Sequence, residues 1–198
     1  MTRISFLLLT LLAACGAIGK AQTPLDAYTL SPLAVSQVQS GSSRHLVVDL
    51  PTSSGALATD RILIKPSPLQ AGYLPKGRWV DPAPVLIQSL LVASLQNSGA
   101  FRLVGRDDAG LTPDFVLLVE VNDFQAETPA PEQIQTPVRV GLTLTVLDVA
   151  DGSLVATRRF DATSLAASSK TLDLVSAFDA ATKAVLANGV AWTIGKAN

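Results

Sequence analysis

Hydrophobic residues in this chain follow three patterns, and each predicts a different element. Strict alternation is clearest over residues 138–149. There Val138, Val140, Leu142, Leu144 and Val146 point one way, and Arg139, Thr143 and Thr145 point the other. A period of two predicts a strand with one buried face. Ala150-Asp151-Gly152 then turns the chain into a partner strand, Leu154 to Phe160. A two-residue turn at Asp151-Gly152 would set Leu144 opposite Arg159 and Phe160 opposite Thr143. A three-residue loop instead pairs Val146 with Ala156, Leu142 with Phe160 and Thr145 with Thr157. A slip of one residue turns every side chain to the other face. The three-residue loop keeps like with like and puts Gly152 where a left-handed residue closes the hairpin, so this register is predicted.

Helical spacing appears twice. Asp81-Pro82 opens a helix that runs to about Asn97, with Asp81 as cap, Pro82 in the first turn and Gly99 as the stop. Its apolar residues Val85, Leu86, Ile87, Leu90, Leu91, Val92 and Leu95 cover more than one stripe. Such a helix must be covered on both sides, and a sheet covers only one. A second, amphipathic helix runs from about Leu172 to Trp192. It docks Leu174, Phe178, Ala181, Val185 and Trp192 on the sheet, with Gly189 weakening its end.

Short apolar runs supply the remaining strands. Phe115 to Val119 is unbroken and predicts a central strand buried on both faces, emerging at Glu120, Asn122 and Asp123. Tyr28–Leu30, His45–Leu50, Asp60–Lys65 and Phe101–Val104 are further strands, two of them ended by Pro51 and Pro66. Residues 52–58 and 127–136 read as loops. Tyr73 and Trp79 lie in a Gly/Pro-punctuated segment with no assigned element. The fold class that follows is α+β: a mixed, largely antiparallel sheet with two main helices packed on it.

The N-terminus follows a different logic. A basic start at Arg3 and the apolar run Ile4–Leu12 make a secretory signal peptide, too short for a membrane span, which needs about 20 apolar residues. Leu12-Ala13-Ala14-Cys15 is similar to the bacterial lipobox, in which the cysteine becomes the first mature residue and is acylated. Two or more acyl chains make anchoring stable. The competing reading is a plain cleavage site with an incidental cysteine. The predicted organisation is a signal peptide over 1–14, a lipid-anchored tether over 15–26 and a single domain over 27–198. Gly16 stands where many inner-membrane lipoproteins carry Asp, which favours the outer membrane.

Composition narrows the partners. The mature chain of 184 residues would carry 14 basic and 16 acidic residues, once Arg3 leaves with the signal. No basic run offers a nucleic-acid footprint or a polybasic membrane patch. Charged residues are only 16% and hydrophobic ones 48%, an apolar excess that favours self-association or a partner. Catalytic motifs are not found: no G-x-S-x-G, no S-x-x-K and no phosphate-cradling glycine loop. With one histidine and one cysteine, a His/Cys metal site cannot be assembled, and no cofactor is predicted. His45 reads as a surface or packing histidine, Asp107-Asp108 as a solvated turn, and Asp60-Arg61 as a local ion pair. Tyr73 and Trp79 are the candidate partner contacts, since amphipathic aromatics favour interfaces; caps on the core are the competing reading.

The ordered set of segments resembles a known family. The lipobox is followed by Tyr28-Thr29-Leu30, Leu46-Val47-Val48 with Pro51, Asp60-Arg61-Ile62-Leu63-Ile64, Tyr73, Trp79 and the Asp81-Pro82 helix. Phe101-Arg102-Leu103-Val104, Asp114-Phe115-Val116-Leu117 and Ala177-Phe178-Asp179-Ala180-Ala181 complete it. This resembles the ABC-type transport auxiliary lipoproteins, with the departure that Val80 follows Trp79 where the family has Ala or Ser. The resemblance implies a fold similar to the N-terminal domain of TolB. It implies a non-catalytic, periplasm-facing outer-membrane lipoprotein that docks an MCE-domain protein and its ABC permease and ATPase complex, in the movement of lipids or other hydrophobic molecules. A homo-oligomeric rim is the further expectation. A lipid-binding shuttle and a structural envelope lipoprotein are the alternative functions.

Overall fold

The computed structural model describes residues 24–35, 41–107, 110, 112–129 and 134–197. The predicted signal peptide, Cys15 and most of the tether lie outside the described residues, as does Asp108. The strands are β1 (Asp26–Tyr28), β2 (His45–Val48), β3 (Thr52–Ser53), β4 (Arg61–Ser67), β5 (Gln70–Trp79), β6 (Leu103–Arg106), β7 (Phe115–Glu127), β8 (Thr136–Asp148) and β9 (Leu154–Ala166). The helices are α1 (Ala83–Ser98) and α2 (Thr171–Lys196).

Strand β7 organises a single mixed sheet. One of its edges pairs antiparallel with β8 from end to end, and β8 pairs antiparallel with β9. Its other edge is shared by three parallel partners in succession: β2 at 115–117, β3 at 120–121 and β4 at 125–127. The parallel strand β6 lies outside β2, while β5 pairs antiparallel with β4 and carries β1 on its far side. The sheet is open and mixed, its long ladders antiparallel, with two helices, as the alternation and the apolar runs predicted.

Side-chain parity decides which face is covered. The five alternating residues Val138, Val140, Leu142, Leu144 and Val146 are all fully buried on the face that carries the helices. On β7, Phe115, Leu117, Val119 and Val121 share that face, whereas Val116 and Leu118 are only half-buried. The apolar run is therefore central in pairing but covered on one face, not two. Nor does the strand end at Asp123. A bulge between Val121 and Asp123 inserts one residue, so Phe124 returns to the helix face opposite Val140. Without that insertion Asp123 would point into the core, and a buried unpaired carboxylate is costly.

The 142/160 hairpin has the predicted register: Val146 opposite Ala156, Leu142 opposite Phe160 and Thr145 opposite Thr157, whose hydroxyls meet at 3.0 Å. The loop differs. Asp148 N–H donates to Ser153 O (2.9 Å), which leaves residues 149–152 as the loop, and a bulge at Val155 restores the register. Gly152 is left-handed, φ 69°, as expected.

Several predicted boundaries move for identifiable reasons. Pro82 is still extended (ψ 142°), so α1 begins at Ala83 with no side-chain cap, and Asp81 stays outside. Pro84 falls at the second helical position, where a missing amide costs nothing. Gly99 ends the helix at φ 64°. Helix α2 continues past Gly189 to Lys196. That glycine is a point of close approach: a Cβ there would lie 2.9 Å from Leu144 Cδ1. Residues 70–79, assigned no element from sequence, form β5, and β4 runs through Pro66.

The apolar excess of α1 is consumed inside the domain. The helix lies against the sheet and α2, and a strap at residues 30–33 crosses its remaining side. Leu33 N–H donates to Ser94 Oγ (3.0 Å), and Asn97 Nδ2 donates to Leu33 O (2.7 Å). Ser31 N–H reaches across to Asp179 on α2 (2.7 Å). Leu30 closes the core beside them at 5% exposure. The second cover expected for α1 is thus the chain itself, so this helix is no argument for a partner.

Candidate interaction site

The two aromatic candidates part company. Trp79 ends β5 with no exposed surface, its ring 5.4 Å from Phe124 and 5.1 Å edge-on to Phe178. It is the centre of the core and cannot be a partner contact. The pairing of Tyr28 with Trp79 and the bonding of its N–H to Asp60 O (2.6 Å) hold it at this inner position. Tyr73 is exposed on the same strand. Its hydroxyl donates to Ala56 O (3.2 Å), and the Arg61 guanidinium sits 5.6 Å from its ring centroid. Arg61 is therefore not the partner of Asp60; Arg78 is, at 3.3 Å.

The polar groups flagged in the sequence do not gather into a reactive set. His45 is tied at its backbone, its N–H donating to Asp114 Oδ2 (2.7 Å) while Arg44 holds Asp114 Oδ1 (3.0 Å). The His45 amide and then Arg44 hold the Asp114 carboxyl below its ordinary range. Among the described residues no group of three or more His, Cys, Asp or Glu side chains is placed to hold a metal.

Two regions of the surface are shaped. On the open sheet face, where β7 passes from β2 to β3, Asp49, Leu50, Thr52, Leu118, Glu120, Thr143 and Thr145 line a depression of about 280 Å³. Burial, and then the neighbouring Asp107, push the Asp49 carboxyl up.

The second region is the end of the sheet where β4, β7 and β9 finish. An apolar cleft of about 230 Å³ there is floored by Ile64, Leu74, Ala126 and Leu174. It continues into a wider depression beside Lys65 and Pro68 and into another beside Lys76 and Lys170. Leu69 and Ile134 project at this end, 100% and 91% exposed. No local pattern announces it, because Lys65, Lys76 and Lys170 belong to separate elements and each looks isolated. Strand β9 adds a third feature: thirteen residues long, it pairs only with β8 among the described residues.

Fold and surfaces together define an α+β domain that offers faces, an edge and a furnished end. The comparisons place it more closely. The family of ABC-type transport auxiliary lipoprotein components matches residues 28–188, and the chain belongs to that family. It is 29% identical over 156 residues to an uncharacterized protein of Bradyrhizobium diazoefficiens. That match takes in 77% of this chain but spans only 40% of the relative's length. A crystal structure of a Xanthomonas campestris protein shares the fold at a TM-score of 0.78 with 22% identity, covering 88% of this chain and 96% of that one. A hypothetical protein of Chlamydia trachomatis follows at 0.51 and 14%, covering 78% and 98%. At these identities the two structures speak to fold alone.

Proposed function

We propose that the chain is the outer-membrane docking subunit of an ABC/MCE-type transport system, held by acylated Cys15 and facing the periplasm. Residues 1–14 are removed as a signal, residues 15–26 are the tether, and residues 27–198 are a single docking domain. It receives or steadies the periplasmic MCE-domain protein of a system that moves lipids or other hydrophobic molecules, while a separate permease and ATPase supply transport and energy. The observation that carries this reading is the family match over residues 28–188, with Leu12-Ala13-Ala14-Cys15 twelve residues upstream of it. Among the described residues no helix is long and apolar enough to cross a membrane.

A shuttle would need a dry cavity large enough for an acyl chain, and binding pockets of that kind run to about 300–1,000 Å³ of largely apolar lining. The interior here is filled by Trp79, Phe124, Phe178 and the leucines around them. The apolar cleft is about 230 Å³, and the depressions of about 280, 380 and 670 Å³ are open and carry polar side chains in their linings, among them Asp49 and Glu120, Lys76 and Lys170, and Lys65 and Glu127. That favours docking over carrying. Self-association keeps the β9 edge, unpaired among the described residues, as its basis, since an unpaired strand is a template for another chain.

An affinity pull-down from mildly solubilised envelopes tests the proposal. Recovery of an MCE-domain protein with its permease and ATPase is expected. Recovery of the chain alone, with stoichiometric bound lipid by mass spectrometry, would replace docking with shuttling.

A further inference from the structure

The end of the domain that carries Leu69 and Ile134 has a direction in common with the tether. Strand β1 runs parallel to β5, with Asp26 opposite Gly77 and Tyr28 opposite Trp79. Strand β5 begins at Gln70, next to the turn that holds Leu69. The chain therefore enters β1 from the side of the Leu69 end. The stretch of β5 from Gln70 to Gly77 spans at most about 23 Å at roughly 3.3 Å per residue. The eleven residue steps from Cys15 to Asp26 reach about 36–40 Å when extended. The tether is long enough to bring Cys15 level with Leu69 and too short to let the domain drift far from its anchor.

The same end is chemically suited to a lipid surface. Leu69 stands 100% exposed in a turn after Pro66 and Pro68, and Ile134 is 91% exposed at the entry to β8. Large aliphatics bared to this degree on projecting turns gain apolar contact only by entering another medium. Lys65 lines the cleft and the wider depression at this end, and Lys76 and Lys170 line a third depression that shares Leu74 and Ser169 with the cleft. Among the described residues that line these depressions the acidic one is Glu127, and Arg139 holds it at 3.2 Å. Projecting aliphatics flanked by lysines are what interfacial binding to an anionic leaflet requires, the side chains entering the headgroup layer and the ammonium groups meeting phosphates.

We infer that the Leu69/Ile134 end rests on the leaflet that holds the anchor, and that it fixes the domain's orientation. The far end, with the β8–β9 hairpin and Leu154, then points away from the membrane. This rests on the anchored-lipoprotein reading. The two can fail separately.

The test uses the processed, full-length lipoprotein in vesicles of phosphatidylethanolamine and phosphatidylglycerol. Cys15 is the only cysteine in the chain, and acylation blocks it, so Leu69→Cys, Ile134→Cys or Leu154→Cys each supplies one free thiol for an environment-sensitive fluorophore. Probes at 69 and 134 should shift to the blue and be quenched severalfold more by nitroxide-labelled lipid than the probe at 154. Replacing phosphatidylglycerol by a neutral lipid should reduce that quenching. If the protein does not float with vesicles, the anchor itself is wrong. If it floats and all three probes remain equally open to aqueous iodide, the anchor stands and the docked end is refuted. A Leu69→Glu/Ile134→Glu pair reporting through Leu172→Cys should lose lipid quenching with an unchanged thermal melt, because both side chains are exposed.

Discussion

Replacing Trp79 by alanine is the sharpest test of the packing described here. The side chain has no exposed surface, and it contacts the rings of Phe124 and Phe178, which are themselves 5.0 Å apart. Truncating a buried Trp or Phe costs about 3–5 kcal/mol, including the cavity it leaves. One feature pulls the other way. The indole Nε1 is buried without an acceptor, and an unsatisfied buried donor costs about 1–3 kcal/mol, which the truncation removes. The loss should therefore fall near the lower limit, about 3 kcal/mol. In a domain of this size each kcal/mol moves the melting temperature by about 2–4 °C, so the midpoint should drop by roughly 6–12 °C. Trp79→Phe keeps a ring in the trio and discards the orphan donor; its loss should be below about 1.5 kcal/mol, the range of volume-tolerant core exchanges. Circular dichroism melts and urea titrations of the two variants decide the matter. A Trp79→Ala protein as stable as the parent, or a Trp79→Phe protein as damaged as Trp79→Ala, would refute this account of the core.

Other positions give separate checks. Gly152 has φ 69° with open space around it, so Gly152→Ala should cost about 1–2 kcal/mol through the backbone alone, whereas Gly55→Ala, also in open space but without positive φ, should be near neutral in the same urea titration. Burial raises the Asp179 carboxyl, but Lys183 and the Ser31 amide outweigh it, so its pKa is lowered on folding. A lowered carboxyl contributes stability above its unfolded pKa and loses it as pH falls through the folded one. Asp179→Asn should therefore be less stable than the parent at neutral pH, and the gap should close on acidification below the ordinary aspartate range. Asp49 has the opposite sign. Burial, with Asp107 nearby, raises its pKa, so the ionised form costs stability at neutral pH. Asp49→Asn should stabilise there and lose its advantage in acid, read from the same denaturation series.

What the sequence could convey depended on whether a pattern was periodic. Strand β8 was legible because its alternation is unbroken, and five of its residues are indeed fully buried. The hairpin register was legible because only one pairing keeps Leu142 with Phe160 and Thr145 with Thr157. The loop length was not, since a bulge at Val155 compensates for an extra loop residue. Strand β5 was hidden by Gly72, Pro75 and Gly77, and by irregular pairing with β4 between Arg61 and Leu63. With the strand went the position of Trp79, which only pairing to β1 and stacking on Phe178 make a core residue. Counting apolar residues on α1 predicted a second cover but not its source; a strap held by Ser94 and Asn97 is a long-range contact with no local signature. The lysine-rimmed end was illegible for the same reason, because three turns distant in sequence assemble it.

Mass spectrometry of the protein extracted from envelopes tests the central claim most directly. A chain that begins at Cys15 and carries the added mass of a diacylglyceryl group and an N-linked acyl chain is the predicted result. A chain that retains Met1, or a mature form with a bare thiol at Cys15, would contradict the account.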